Sequence, residues 1–239
     1  MNSQKYFESF TDNEGLKYGL RFGIEDDAKE ISKMFIEAYG YKYLYKMVYE
    51  PSELKEKLRY PDNFWFICEN LDSGEIAGVG LMQKRKFIIT IGKMIIKRKF
   101  QKKGIARELG SRGIMACLNK PQFKECYKLL TEARAEEINV QKMMERIAIP
   151  YAFIPEFINF GDRRMFDFSK GVPFVDGEKE SALLFMIPFD RLWKCRETKI
   201  YLPNNEELLF FYNYIKYYNK KTLRTVSYTH LTLPTILLV

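Results

Sequence analysis

One short stretch of this 239-residue chain, Gln101-Lys102-Lys103-Gly104-Ile105-Ala106, carries residue types that can hold an anion. Before it runs an apolar segment, Phe87 to Ile96, that reads as a buried strand. After it, Ile105, Leu109, Ile114, Met115 and Leu118 recur at helical spacing and predict a helix from Ile105 to Leu118. The first amides of a helix have no intrahelical partner, and the helix dipole adds partial positive charge there. Gly104 has no Cβ, so the backbone can come close to a phosphate. A diphosphate held mainly by main-chain donors is the ligand that this strand, turn and helix predict.

The charge pattern fits an anion. The net charge is +8, and every charged residue from Lys84 to Arg107 is basic. Such a run draws phosphates, or it is simply a solvated edge. Nucleic-acid binding is a third reading that no module signature supports. Four cysteines, Cys68, Cys117, Cys126 and Cys195, show no C-x-x-C spacing and read as reduced core thiols. No apolar run reaches the length of a membrane span and no signal peptide opens the chain, so a cytoplasmic protein is expected.

The elements that must position the turn follow from the chain in order. Met1 to Glu14 is polar and reads as loosely packed. Leu20 to Phe22 reads as a first strand. Glu25-Asp26-Asp27 opens a helix whose apolar stripe is Ile31, Met34, Phe35 and Ala38. Tyr39, Tyr41, Tyr43, Tyr45 and Tyr49 form an aromatic segment, and Pro51 starts a short helix ending near Tyr60. Phe64 to Glu69 and Ile76 to Lys84 read as a hairpin around Asp72-Ser73-Gly74. Beyond the turn helix, Lys128 to Ala133 reads as a strand, Val140 to Ile147 as a helix capped by Asn139, and Tyr151 to Phe160 and Ala182 to Pro188 as strands.

Gln101 to Ala106 resembles the Q/R-x-x-G-x-G/A signature of the GNAT superfamily of N-acyltransferases, which bind acetyl-CoA. The order β-α-α-β-β-β-α-β-α-β-β matches that family over Leu16 to Leu192. The resemblance implies an α/β (α+β) fold: a mixed, mostly antiparallel sheet flanked by helices, with splayed central strands that admit the pantetheine arm. It implies that Met94, Ile95 and Ile96 supply the strand edge beside that arm. Gln101, Lys102, Lys103, Gly104, Ile105, Ala106 and Arg107 would cradle the diphosphate. Asn139 matches an Asn that touches pantetheine in relatives, and as a plain helix cap it has a second explanation. The implied activity is transfer of an acetyl group from acetyl-CoA to an amine of a small molecule or protein, without a metal.

Acyl transfer also needs a route for protons. The only histidine, His230, lies in the C-terminal tail, so a carboxylate is the expected base. Glu132 sits on the strand where family catalytic groups can lie, followed by Glu136 and Glu137; a surface or ion-paired role for Glu132 stays open. Phe87 to Ile96 has no Asp or Glu, although many relatives place the base there. Met144 stands where relatives carry an acid Tyr, with Tyr151 nearby as a substitute. These departures leave a non-catalytic CoA-binding module as the alternative. The Tyr39 to Tyr49 cluster falls where the family builds the acceptor pocket, or it is a packed aromatic patch. Residues 1–192 are expected to form the acyltransferase domain and 193–225 a truncated strand–helix extension. Residues 226–239 resemble translated adapter sequence and read as a non-native tail.

Overall fold

The strands at residues 63–70 and 76–85 bury both faces, and the alternation of side chains decides which helix each face receives. The computed structural model describes residues 6–41, 43, 45–135, 137–158, 166–167, 172–173, 180–195 and helical positions Glu206, Glu207, Leu209, Phe210 and Asn213. The chain forms two compact units, Met1–Lys124 with Asn159–Lys179, and Glu125–Ile158 with Glu180–Val239.

The first unit contains β1 (Glu8–Thr11), β2 (Lys17–Phe22), α1 (Ala28–Tyr39), α2 (Pro51–Arg59), β3 (Asn63–Asn70), β4 (Ile76–Arg85), β5 (Ile88–Ile96) and α3 (Ile105–Leu118). Its strands pair antiparallel in the order β1-β2-β3-β4-β5. On one face Trp65 and Ile67 of β3, Val79 and Leu81 of β4 and Ile95 of β5 pack with Ile31, Met34 and Phe35 of α1 and Leu54 of α2. The intervening positions face α3. There the helix lies close, because glycines stand where side chains would collide. A Cβ on Gly113 would sit 2.8 Å from Phe66 Cδ2, one on Gly80 2.4 Å from Phe66 Cε2, and one on Gly78 3.2 Å from Leu109 Cδ2.

The opening segment corrects the sequence reading. From Tyr6 onward it is not loosely packed: β1 pairs with β2, Phe7 meets Phe22 at 5.0 Å, and Phe10 stacks on Tyr18 at 5.2 Å. The Tyr6 ring fills the place where Gly19 has no side chain, 2.4 Å from where a Cβ would be. A strand of four residues held by long-range aromatic contacts has too little period of its own to be read locally.

Beneath the start of α1 lies a buried ionic network that spacing did not reveal. Arg21 of β2 donates from Nη1 and Nη2 to Asp27 at 2.8 Å each, and from Nε to Glu69 of β3 at 2.7 Å. Tyr6 donates to the other Glu69 oxygen at 2.7 Å, and the Ile24 amide donates to Asp27 at 2.8 Å. Arg21, Asp27 and Glu69 are all buried. Buried charges must be paired and hydrogen-bonded, and this network ties the head of α1 to the sheet.

The second unit contains β6 (Lys128–Arg134), α4 (Ile138–Met144), β7 (Ile149–Ile158) and, after the two-residue strands β8 (Phe166–Asp167) and β9 (Val172–Pro173) that pair in the first unit, β10 (Glu180–Pro188) and α5 (Asp190–Cys195). β10 lies antiparallel between β6 and β7. The helix read from Val140 starts two residues earlier, so Asn139 is its second residue, not its cap; Glu137 holds the cap position. α5 is an element the apolar pattern did not announce. The expected strand at Lys199 to Leu202 and the tail 226–239 lie outside the described residues. Among the described residues no helix is long and apolar enough to cross a membrane.

Candidate functional site

β5 hands the chain to the turn through a distortion. Val79 pairs with Ile95 and Leu81 with Gly92, so Lys93 and Met94 together oppose Gly80 alone. This is a β-bulge, and Lys93 takes a positive φ of 53° within it. Met94 reaches toward α3, its Cε 3.2 Å from where a Cβ on Gly110 would stand, whereas Ile95 is buried on the opposite face with α1.

The turn is braced from several directions. The Lys97 amide donates to Ala77 O at 2.9 Å, Gln101 Nε2 donates to Ile96 O at 3.1 Å, and Phe100 is buried edge-on against Tyr18. Lys102 and Gly104 then adopt left-handed φ values of 65° and 79°. The first backbone bonds of α3 run from Arg107 and Glu108 to Gly104 O, at 3.0 and 3.2 Å. Among the described residues, the amides of Lys102, Lys103, Gly104, Ile105 and Ala106 donate to no backbone acceptor. A Cβ placed on Gly104 would meet no atom within 4 Å. Five consecutive amides without a backbone acceptor therefore lie at the head of a 14-residue helix, with open space over Gly104 among them, which suits a diphosphate.

The basic run is partly neutralised within the chain. Lys97 pairs with Glu30 and Glu75, Lys99 with Glu75, Lys103 with Glu14, and Arg107 with Glu108. The bond from Lys97 holds the Glu30 carboxyl below its ordinary range, and that from Lys99 does the same for Glu75, against the opposing effect of burial. Glu14 sits in the β1–β2 turn, shaped by Asp12, whose Oδ1 accepts from the Glu14 and Leu16 amides at 2.9 and 3.0 Å. Burial raises the Asp12 pKa, but these amides and the Tyr18 hydroxyl outweigh it and leave it lowered.

The remaining expected site residues lie in the second unit. Glu132 of β6 is exposed. Its cross-strand neighbour is Leu184 of β10, and the register of β10 on β7 jumps from Ala152 to Pro150, which leaves Tyr151 as the extra residue of a bulge. Burial raises the Tyr151 phenol pKa, and the charge of Glu132 adds to the rise. Asn139 is exposed on the first turn of α4. Gln141, which the sequence did not mark, donates to Arg134 O and Ala135 O at 2.8 and 2.7 Å and secures the end of β6. Glu136 lies outside the described residues.

The tyrosine segment divides. Tyr43 and Tyr49 are buried, joined by a 2.5 Å bond from the Tyr43 amide to the Tyr49 hydroxyl. Tyr41 and Tyr45 are each 40% exposed. Lys93 of the bulge stands over the Tyr45 ring, 4.2 Å from its centroid. Forty-eight positions separate the two, and neither residue signals the other. Among the described residues no cluster of side chains could hold a metal ion.

Residues 28–147 match the model of the acetyltransferase (GNAT) family. No curated protein matches the chain. Among solved structures it resembles spermidine N-acetyltransferase SpeG from Vibrio cholerae in several forms. A point mutant of that enzyme gives a TM-score of 0.55 at 14% identity, over 72% of this chain and 93% of that one. The form in complex with manganese ions gives 0.53 at 16% identity, over 75% and 97%. The dodecameric form in an intermediate state gives 0.54 at 14%, over 75% and 98%. These likenesses speak for the fold, a mixed α/β arrangement with mostly antiparallel strands flanked by helices. With half of its length matched, the chain belongs to the acetyltransferase (GNAT) family and is an N-acetyltransferase acting on an amine.

Proposed function

We propose that the donor is acetyl-CoA, with its diphosphate held by the amides of Lys102 to Ala106 and the side chains of Gln101, Lys103 and Arg107. The observation that carries this reading is the row of five amides beside the open space over Gly104. The residues present suit the group: main-chain donors and the helix dipole meet the phosphates, and no side chain fills their place. Met94, Ile95 and Ile96 offer the strand edge for the pantetheine arm.

Acetyl-CoA supplies an activated acyl carbon in its thioester. The neutral amine nitrogen attacks that carbon, the C–S bond breaks, the nitrogen gives up a proton, and the thiolate takes one, so that an amide and CoA result. Holding the two reactants together accounts for much of the acceleration. The resemblance assigns Glu132 as the base and Asn139 as a pantetheine contact. Tyr151 stands in for the acid tyrosine of relatives; burial and the charge of Glu132 raise its phenol pKa, which keeps it protonated and makes it a weaker acid. The buried thiols of Cys68 and Cys117, which form no disulfide among the described residues, support a cytoplasmic location.

Calorimetric titration of acetyl-CoA and a turnover assay with a panel of amines test the reading. Glu132→Gln is expected to lower kcat by about a hundredfold while acetyl-CoA affinity holds, the scale of general-base catalysis. An unchanged kcat removes Glu132 from the mechanism. Glu14→Gln is expected to release Lys103 and tighten CoA binding about two- to fivefold, the worth of one exposed ion pair. That gain should shrink as salt is raised. A second reading, CoA binding without turnover, is favoured by the absence of Asp or Glu on β5 and by Met144. Tight binding with no amine acetylated would establish it.

A further inference from the structure

We propose that Lys102 and Arg98 read the 3′-phosphate of the donor and make this protein select CoA over 3′-dephospho-CoA. The inference rests on the acetyl-CoA reading and deepens it, by naming the residues that set donor specificity. CoA carries two kinds of phosphate. Its diphosphate suits the row of amides from Lys102 to Ala106. Its 3′-phosphate is a monoester on the ribose and bears roughly 1.5 to 2 negative charges at neutral pH. It stands apart from the diphosphate, so side-chain cations must meet it.

Two cations of the turn have no partner in the chain. Residues 97–107 contain six basic residues. Lys97 is bonded to Glu30 and Glu75, Lys99 to Glu75, Lys103 to Glu14, and Arg107 to Glu108. Among the described residues, Arg98 and Lys102 pair with no acid, and both are exposed. The acids that reach the turn are taken by their sequence neighbours.

The backbone also marks Lys102. Its φ of 65° lies in the left-handed region, where a side chain is strained and glycine is not. Lys102 provides the first amide of the row, so its side chain starts beside the diphosphate site. A strained lysine with no protein partner is accounted for by a ligand that it touches. Arg98 stands four residues earlier, in the short helical turn Arg98–Phe100. The Gln101 amide donates to Arg98 O at 3.2 Å and Phe100 is buried, so the arginine is carried on a braced turn. The two side chains complement each other: the lysine is a point charge with three donors, and the guanidinium is a planar fork that takes two phosphate oxygens.

The test is calorimetric titration of the full chain with CoA and with 3′-dephospho-CoA. The wild type is expected to bind CoA about tenfold more tightly, the scale of one charge-assisted hydrogen bond. The preference should shrink as salt is raised. Lys102→Gln and Arg98→Gln should each reduce it, and the double variant should bind both ligands alike. Lys99→Gln removes an equal charge that Glu75 already balances, and should keep the preference. Lys102→Gly should reduce the preference as Lys102→Gln does without lowering the melting temperature, because it relieves the left-handed strain. A merely structural Lys102 would instead show a lower melting temperature and an intact preference. Equal affinity of the wild type for the two ligands, a preference that survives in the double variant, or an equal fall in Lys99→Gln would each overturn the inference and leave the acetyl-CoA reading in place. Failure of both ligands to bind would overturn both.

Discussion

Replacing Gly104 by glutamate is expected to abolish acetyl-CoA binding in a chain that still folds. Gly104 has φ near 79°, where a side chain costs about 1–2 kcal/mol. That cost is bearable, and the neighbouring Lys102 already adopts a φ of 65°. Nothing lies within 4 Å of the added Cβ, so the new side chain meets no protein atom at its root. It does enter the space that the amides of Lys102 to Ala106 border. A carboxylate there takes the donors meant for phosphate and repels the ligand's charge. A loss of at least about a hundredfold in affinity is expected, equal to two charge-assisted hydrogen bonds or fewer. Calorimetry on the wild type, Gly104→Ala and Gly104→Glu separates the causes. Gly104→Ala carries the backbone strain without the charge and should lose far less. Full affinity in a folded Gly104→Glu protein would remove this turn as the diphosphate site.

The second large effect concerns stability. Arg21→Met is expected to destabilise the protein by about 3–5 kcal/mol, the usual consequence of removing one partner from a buried ion pair. Asp27 and Glu69 would remain buried, each with a charge that Arg21 now balances. Burial works against the Arg21 guanidinium, but its bonds to Asp27 and Glu69 hold its pKa well above the ordinary value. Against a typical stability of about 5–15 kcal/mol, such a loss is large. Urea unfolding followed by circular dichroism measures it, and a loss under about 1 kcal/mol would show that the network is dispensable. Exposed pairs such as Arg59 with Glu25 should matter far less. Acid should weaken the neighbouring pairs for a related reason. Glu30 and Glu75 have lowered pKa values in the folded chain, so their contribution is present above the unfolded carboxylate pKa and is lost as pH falls through the folded values.

What could be read from the chain and what could not divide along physical lines. The helix from Ile105 to Leu118 was legible to the residue, because an amphipathic period, a glycine before it and Asn119 after it all act locally. The hairpin of β3 and β4 was legible through its Asp-Ser-Gly turn and its β-rich flanks. β1 was not, because its stability lies in Tyr6 covering Gly19 and in ring contacts to β2. Asn139 was misplaced by two residues' difference in where α4 begins; helix ends depend on caps, and Glu137 takes that position without a side-chain bond.

By itself, then, the sequence determined the strand–turn–helix unit, the glycine at its centre and the family to which they belong. All three rest on residues within a few positions of one another, where backbone conformation and hydrophobic period decide. Only the tertiary structure decided which basic residues are paired, and with what. Lys103 finds Glu14, Lys97 finds Glu30 and Glu75, and the bulge sets Lys93 over Tyr45. Those partners are tens of residues apart, and packing through the sheet and α1 brings them together.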